Sequence, residues 1–175
     1  MMHLLIISSS LSLYSRSRTM AQYCREQLDK MDTITELIDL VDYALPVCDG
    51  SSKTTNDPLT LEVKEKIRIS QGIIIATPVY NFNVNAALKN LIELTGQAWT
   101  DKIVGFICSA GGSRSYMSVM GLANSLMLDF RSIIIPRFVY FNESAEMQDV
   151  QLDGTTRHRL DKLNEELIRF VKGLK

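Results

Sequence analysis

Three stretches of this sequence hold the side chains suited to ligand chemistry. The first is Ser8-Ser9-Ser10-Leu11-Ser12-Leu13-Tyr14-Ser15-Arg16-Ser17-Arg18, which sets a run of hydroxyls and two guanidiniums between an apolar run and a helical pattern. Free N–H groups at a helix start face the preceding loop, and the helix dipole adds about 0.3–1 kcal/mol in favour of a negative group, so this stretch suits an anion. It has neither the G-x-G-x-x-G of a dinucleotide site nor the G-x-x-x-x-G-K-[ST] of a triphosphate loop, and a terminal monophosphate is the fitting ligand. The second stretch, Thr77-Pro78-Val79-Tyr80-Asn81-Phe82-Asn83, offers backbone N–H groups on a proline-stiffened turn for the edge of a planar heterocycle, with aromatic rings to rim its face. The third, Ser109-Ala110-Gly111-Gly112-Ser113-Arg114-Ser115, lets backbone approach a flat ligand without interference from Cβ atoms.

Each stretch follows a short apolar run and precedes a helical pattern. Leu4 to Ile7 is the first such run, followed by Met20, Cys24, Leu28 and Met31 at helical spacing. Thr33 to Leu40 alternates as a second strand, and Val41 to Pro58, rich in polar and turn residues, reads as a long surface loop without elements of its own. Leu59, Val63 and Ile67 mark a second helix, and the β-branched run after Gly72 suits a strand covered on both faces. Val84, Leu88, Leu91 and Ile92 predict a third helix, Ile103 to Cys108 a fourth strand, and Met120, Ala123, Met127 and Phe130 the stripe of a further helix. Ile133 to Ile135 is read as the fifth strand, and Leu160, Leu163, Leu167, Ile168 and Val171 as an amphipathic terminal helix. Strict alternation predicts an α/β fold, one doubly wound, five-stranded parallel sheet forming one domain over residues 1–175, and the long polar turns after strands one, three and four favour the strand order 2-1-3-4-5. The three stretches then fall together at the carboxyl edge of the strands, where such sheets bind ligands.

Composition narrows the function. The 175 residues can bury about two thirds of their unfolded surface without staples. Lys and Arg number 19 against 20 Asp and Glu, a formal charge of −1 that gives no field for a nucleic acid or an anionic membrane. No apolar run approaches a membrane span, and no basic segment and apolar stretch read as a signal peptide. Cys24, Cys48 and Cys108 lack metal-ligand spacing and, with only His3 and His158 beside them, predict no metal site and a reduced, cytoplasmic setting.

Taken together, these stretches resemble the NADPH-dependent FMN reductases of the flavodoxin-like fold, a group that includes quinone and azo-dye reductases. Their phosphate loop, Ser-Gly-Ser-x-Arg-x-x-Ser-x-Asn, aligns with Ser8 to Ser17, and their Thr-Pro-Glu-Tyr-Asn flavin loop and Leu-Lys-Asn helix start align with Thr77 to Asn81 and Leu88-Lys89-Asn90. Ser109 to Gly112 matches the glycine-rich loop near the flavin pyrimidine. The resemblance implies FMN as cofactor, held by Ser8, Ser10, Ser12, Ser15, Arg16 and Ser17 at the phosphate and by Pro78, Val79, Tyr80, Asn81, Ser109, Gly111 and Gly112 at the ring. It implies NADPH or NADH as hydride donor, a small acceptor (quinone, flavin, azo compound or metal oxyanion) as partner, no catalytic side chain, and a homodimer or homotetramer with the flavin edge near a subunit boundary. A flavodoxin-like electron carrier and an FMN-free interaction subunit are the alternatives. The sequence departs from the pattern at Ser12, where the family often has arginine, at Ser17 for asparagine, at Val79 for glutamate and at Phe82-Asn83 for Gly-Ser. With no arginine at position 12, the phosphate would lean on Arg16 or Arg18 instead.

Overall fold

The computed structural model describes residues 1–142 and 152–174. The order is β1 (Met2–Ser8), α1 (Arg16–Leu28), β2 (Thr33–Asp39), α2 (Ser52–Thr55), α3 (Pro58–Ile69), β3 (Gly72–Tyr80), β4 (Asn83–Val84), α4 (Ala86–Thr95), β5 (Ile103–Ala110), α5 (Met120–Phe130), β6 (Ile133–Ile134), β7 (Val139–Asn142) and α6 (Gly154–Gly173). The main path of the sheet runs β2-β1-β3-β5-β6, all parallel, with β7 also parallel to β5 and β4 antiparallel to β3.

The sheet is therefore α/β with crossover connections, as the alternation predicts, but it has seven strands rather than five. Two local causes account for the difference. The predicted fifth strand is interrupted: β6 pairs with Ile103–Val104, β7 resumes at Ile107, and between them lies Pro136, which has no N–H for the ladder. The second stretch is not a plain strand-to-helix loop either, because β3 continues to Tyr80 and folds back as a hairpin, so that Val84 pairs with Val79 instead of entering α4. Two smaller expectations also change. Met127 is itself 38% exposed rather than part of the buried stripe of α5, and the 41–58 segment contains a 3-10 turn at Leu40–Asp42 as well as α2.

Period two divides the core into two layers. Leu5, Ile7, Ile73, Ile75, Val104 and Phe106 pack with residues of α3, α4 and α5, while Leu4, Ile6, Ile74, Ala76 and Ile107 pack with residues of α1 and α6. All eleven are at most 1% exposed, each large one contributing about 1.5–3 kcal/mol of burial. α6 crosses the sheet closely where β3 and β5 have glycine. A Cβ built on Gly72 would lie 2.8 Å from Leu167 Cδ1, and one on Gly105 would lie 2.9 Å from Leu163 Cδ1. With both faces covered, the parallel strands leave ligand access at their carboxyl ends, where Ser8, Tyr80 and Ala110 begin the three loops. Among the described residues no helix is long and apolar enough to cross a membrane, and no group of three or more His, Cys, Asp or Glu could hold a metal ion.

Candidate functional site

The loop after β1 is built by its own hydroxyls. Ser12 N donates to Ser10 Oγ and Tyr14 N to Ser12 Oγ, both at 3.3 Å, in successive side-chain-to-backbone turns. Ser15 caps α1: its extended backbone (φ −108°, ψ 116°) lets Oγ accept from Arg18 N at 3.1 Å, while the buried Ser17 hydroxyl lies 3.0 Å from Ser15 Oγ. The first turn of α1 contains no acidic residue and two arginines, Arg16 and Arg18. Cations at a helix N-terminus work against the dipole, so these arginines are not placed for helix stability. Arg16 also lies 6.0 Å from the Phe141 ring centroid, within cation–π reach.

The second loop is a tight hairpin in which Asn81 (φ 51°) and Phe82 (φ 60°) are both left-handed. Two consecutive positive φ values between paired strands are the type I′ pattern, which favours Asn-Gly. Asn81 fits it, whereas Phe82 carries strain and is 69% exposed. Phe82→Gly is expected to raise stability by about 0.5–1 kcal/mol, the relief of strain outweighing the added freedom of the unfolded chain. A urea midpoint that is unchanged or lower would contradict this. The third loop is held by Tyr140 on β7, whose hydroxyl donates to Gly112 O and lies 2.8 Å from Ser115 Oγ.

These loops enclose a cleft of about 710 Å3, within the roughly 300–1,000 Å3 of small-molecule sites. Of the residues predicted from sequence, Ser10, Ser12, Ser15, Arg16, Ser17, Pro78, Val79, Tyr80, Ser109 and Gly111 line it. Three do not. Ser8 is fully buried at the end of β1 with a hydroxyl that finds no partner among the described residues, Asn81 is in the hairpin turn, and Gly112 gives its carbonyl to Tyr140. Thr19 and Gln22 were not singled out by sequence; they join the wall because α1 puts residues 15, 18, 19 and 22 on one face. No carboxylate is among the described residues that line the cleft. Its hydroxyls, helix N-terminus and Arg16 fit a group that ends in phosphate, and a flat ring has room between Pro78–Tyr80 and Ser109–Gly111.

The expectation that Arg18 compensates directly for Ser12 is corrected by geometry. All five of its N–H bonds are used inside the protein: Nε and Nη2 on Asp39, Nη2 also on Ser10 O at 3.0 Å, and Nη1 on Ser12 O at 2.6 Å and Leu13 O at 3.3 Å. Sequence also gives no hint of Asn85, 5% exposed just before α4, beyond its fitness as a helix-preceding residue. Asn85 Oδ1 accepts from Ser9 Oγ (2.8 Å) and Thr77 Oγ1 (3.3 Å), and Nδ2 donates to Ser9 O (2.6 Å), joining the first loop to the second. Asn90, in the Leu-Lys-Asn motif, faces the 41–58 segment instead, accepting from Cys48 N at 2.8 Å and donating to Pro46 O at 2.9 Å.

The thiols take no part in this arrangement. Burial pushes Cys108, at the cleft end of β5, up to about 12, and burial together with the Asp161 charge also raises Cys24. A thiol reagent at pH 8 should therefore modify the half-buried Cys48 of the native protein, and all three cysteines only after denaturation. Native-state labelling of Cys108, read by peptide mass, would contradict the burial.

A sequence profile described as NADPH-dependent FMN reductase matches residues 2–146. An NAD(P)H-dependent FAD/FMN reductase of Geobacillus thermodenitrificans (strain NG80-2) is 30% identical over 146 residues, 80% of this chain and 77% of that protein. An NADPH azoreductase of Bacillus sp. (strain OY1-2) is 22% identical over 97% of this chain and 93% of its own length. Among solved structures, a flavodoxin, WrbA-like protein from Agrobacterium tumefaciens superposes with a TM-score of 0.72 at 10% identity, covering 100% of both chains, which shows a shared flavodoxin-like fold.

Proposed function

The chain belongs to the NADPH-dependent FMN reductase family and is an oxidoreductase, and from that premise we propose that it binds FMN in the cleft, takes hydride from NADPH or NADH, and reduces a small acceptor such as a quinone, a free flavin, an azo compound or a metal oxyanion. The observation that carries this reading is the hydroxyl-lined cleft at the start of α1, which has no carboxylate among its described lining residues and opens onto Pro78–Tyr80 and Ser109–Gly111. The phosphate end belongs to Ser10, Ser12, Ser15, Arg16 and Ser17, with Ser8 behind them. Pro78, Val79 and Tyr80 on one side and Ser109 and Gly111 on the other would hold the ring, with Asn81 and Gly112 shaping the turns beside them.

When bound, FMN supplies the capacity to accept two electrons from a nicotinamide and return them to an acceptor. The protein's share is positioning. The hydroxyls and first-turn N–H groups of α1 fix the anionic end, and backbone at Pro78–Tyr80 and Ser109–Gly111 offers hydrogen bonds to a ring edge. Tyr80, 54% exposed, forms one wall of the opening through which donor and acceptor would reach the ring in turn. No side chain is needed as a proton donor or base. The near-neutral charge supports an enzyme using small acceptors over a carrier, since it gives no single-sign field to steer protein partners. We further read residues 1–175 as one FMN-binding domain, cytoplasmic, and assembled as a homodimer or homotetramer.

Titration of flavin-free protein with FMN, followed by NADPH and NADH consumption with each acceptor class, tests the proposal. Binding with turnover is the expected result. Binding without turnover would point to an electron carrier, and absence of binding would leave an interaction subunit.

A further inference from the structure

The saturated guanidinium of Arg18 lies in the wall of an anion-suited cleft, yet it faces the protein. Its position is set by Asp39, the last residue of β2, and the pair is well shielded, with side-chain exposures of 13% and 12%. Three loop carbonyls, those of Ser10, Ser12 and Leu13, converge on it. No described peptide bond is cis, so in each of these peptides the following N–H points opposite to the carbonyl. The N–H groups of Leu11, Leu13 and Tyr14 are thereby turned to the other side of the loop from the guanidinium, where Tyr14 N is already bonded to Ser12 Oγ and those of Leu11 and Leu13 are the donors the loop can present.

The structure assigns Arg18 and Asp39 the role of a positioning pair: Arg18, aimed by Asp39, gathers the loop carbonyls so that the loop presents N–H and hydroxyl donors to the phosphate, and it sets phosphate affinity without touching the phosphate. This rests on the reading of the cleft as an FMN site. It differs from a direct cation contact in the sign of one substitution. Asp39→Asn removes a negative charge near the anion, which by Coulomb's law alone would tighten binding. If the carboxylate instead aims Arg18, the same change loosens the loop and weakens binding. The amide keeps an acceptor for Val41 N, so the turn at Leu40–Asp42 retains its bond.

The experiment compares dissociation constants of FMN and riboflavin, which lacks the phosphate, for wild type, Asp39→Asn and Arg18→Lys. Both variants are expected to weaken FMN about ten-fold, equivalent to roughly 1.4 kcal/mol, with riboflavin changed less than about two-fold. Arg18→Lys keeps the charge, but three ammonium donors cannot serve five acceptors in a planar fork. FMN affinity that is unchanged or tighter in either variant, or equal weakening of both flavins, overturns the assignment. Amide exchange of residues 10–14 in flavin-free protein gives an arm independent of the cofactor. Exchange should quicken in Asp39→Asn, and unchanged exchange overturns the pair's role even if no flavin binds. Wild-type protein that fails to bind FMN refutes the functional reading alone, with the exchange arm still deciding the clamp.

Discussion

Asn85→Ala is expected to cost about 2–4 kcal/mol of folding stability and to weaken FMN binding with it. The truncation leaves the Ser9 hydroxyl, the Ser9 carbonyl and the Thr77 hydroxyl without the amide that now serves all three. Ser9, Thr77 and Asn85 are all at most 5% exposed, and an unsatisfied buried polar group costs about 1–3 kcal/mol. Partial rescue keeps the sum below three full penalties, because Thr77 Oγ1 also has Pro78 O at 3.1 Å. Asn85→Asp should be no milder, since it turns the donor facing Ser9 O into an acceptor. The effect on ligand follows from geometry. Among the described residues Asn85 is a side-chain link between the loop after β1 and the end of β3, so both walls of the cleft are expected to shift relative to each other when it is lost. Denaturant melts and FMN titration measure the two effects, and a stability loss under about 1 kcal/mol would show that the loops do not depend on this residue.

Ser12→Arg works in the opposite direction: the variant should bind FMN about ten- to a hundred-fold more tightly than wild type and leave riboflavin affinity unchanged. Ser12 lines the cleft and is exposed, so a longer side chain meets solvent and ligand rather than core. A charge-assisted contact to phosphate is worth about 1.5–3 kcal/mol, and Arg18 cannot supply it because its donors are already bound. The loss of the Tyr14 N to Ser12 Oγ bond, long and exposed at 3.3 Å, offsets little. The gain should shrink with added salt, as expected of a partly solvated charge pair. Equal tightening of riboflavin would place the new guanidinium somewhere other than the phosphate.

The chain's local patterns specified five of the seven strands of the sheet and most of the composition of the cleft. Leu4–Ile7, Ile73–Ile75 and Ile103–Cys108 read as strands because burial on both faces demands continuous apolar side chains, and the hydroxyl-rich, glycine-rich and proline-containing stretches follow them because strand ends and helix starts need those residues locally. Ten of thirteen predicted residues meet at one cleft for that reason: parallel alternation alone sends every such loop to the same edge. What the tertiary structure decided are the pairings between segments far apart in sequence. Arg18 could as well have faced the ligand; Asp39, 21 residues on, turns it inward. Asn85 finds Ser9 across 76 residues, Tyr140 reaches back to Gly112, and the hairpin at Asn81–Phe82 overrides a turn preference that Phe82 lacks. Local patterns follow from the covalent chain and from which faces meet water, whereas the partner of a buried or half-buried polar group is chosen by whichever acceptor the packed sheet brings within about 3 Å.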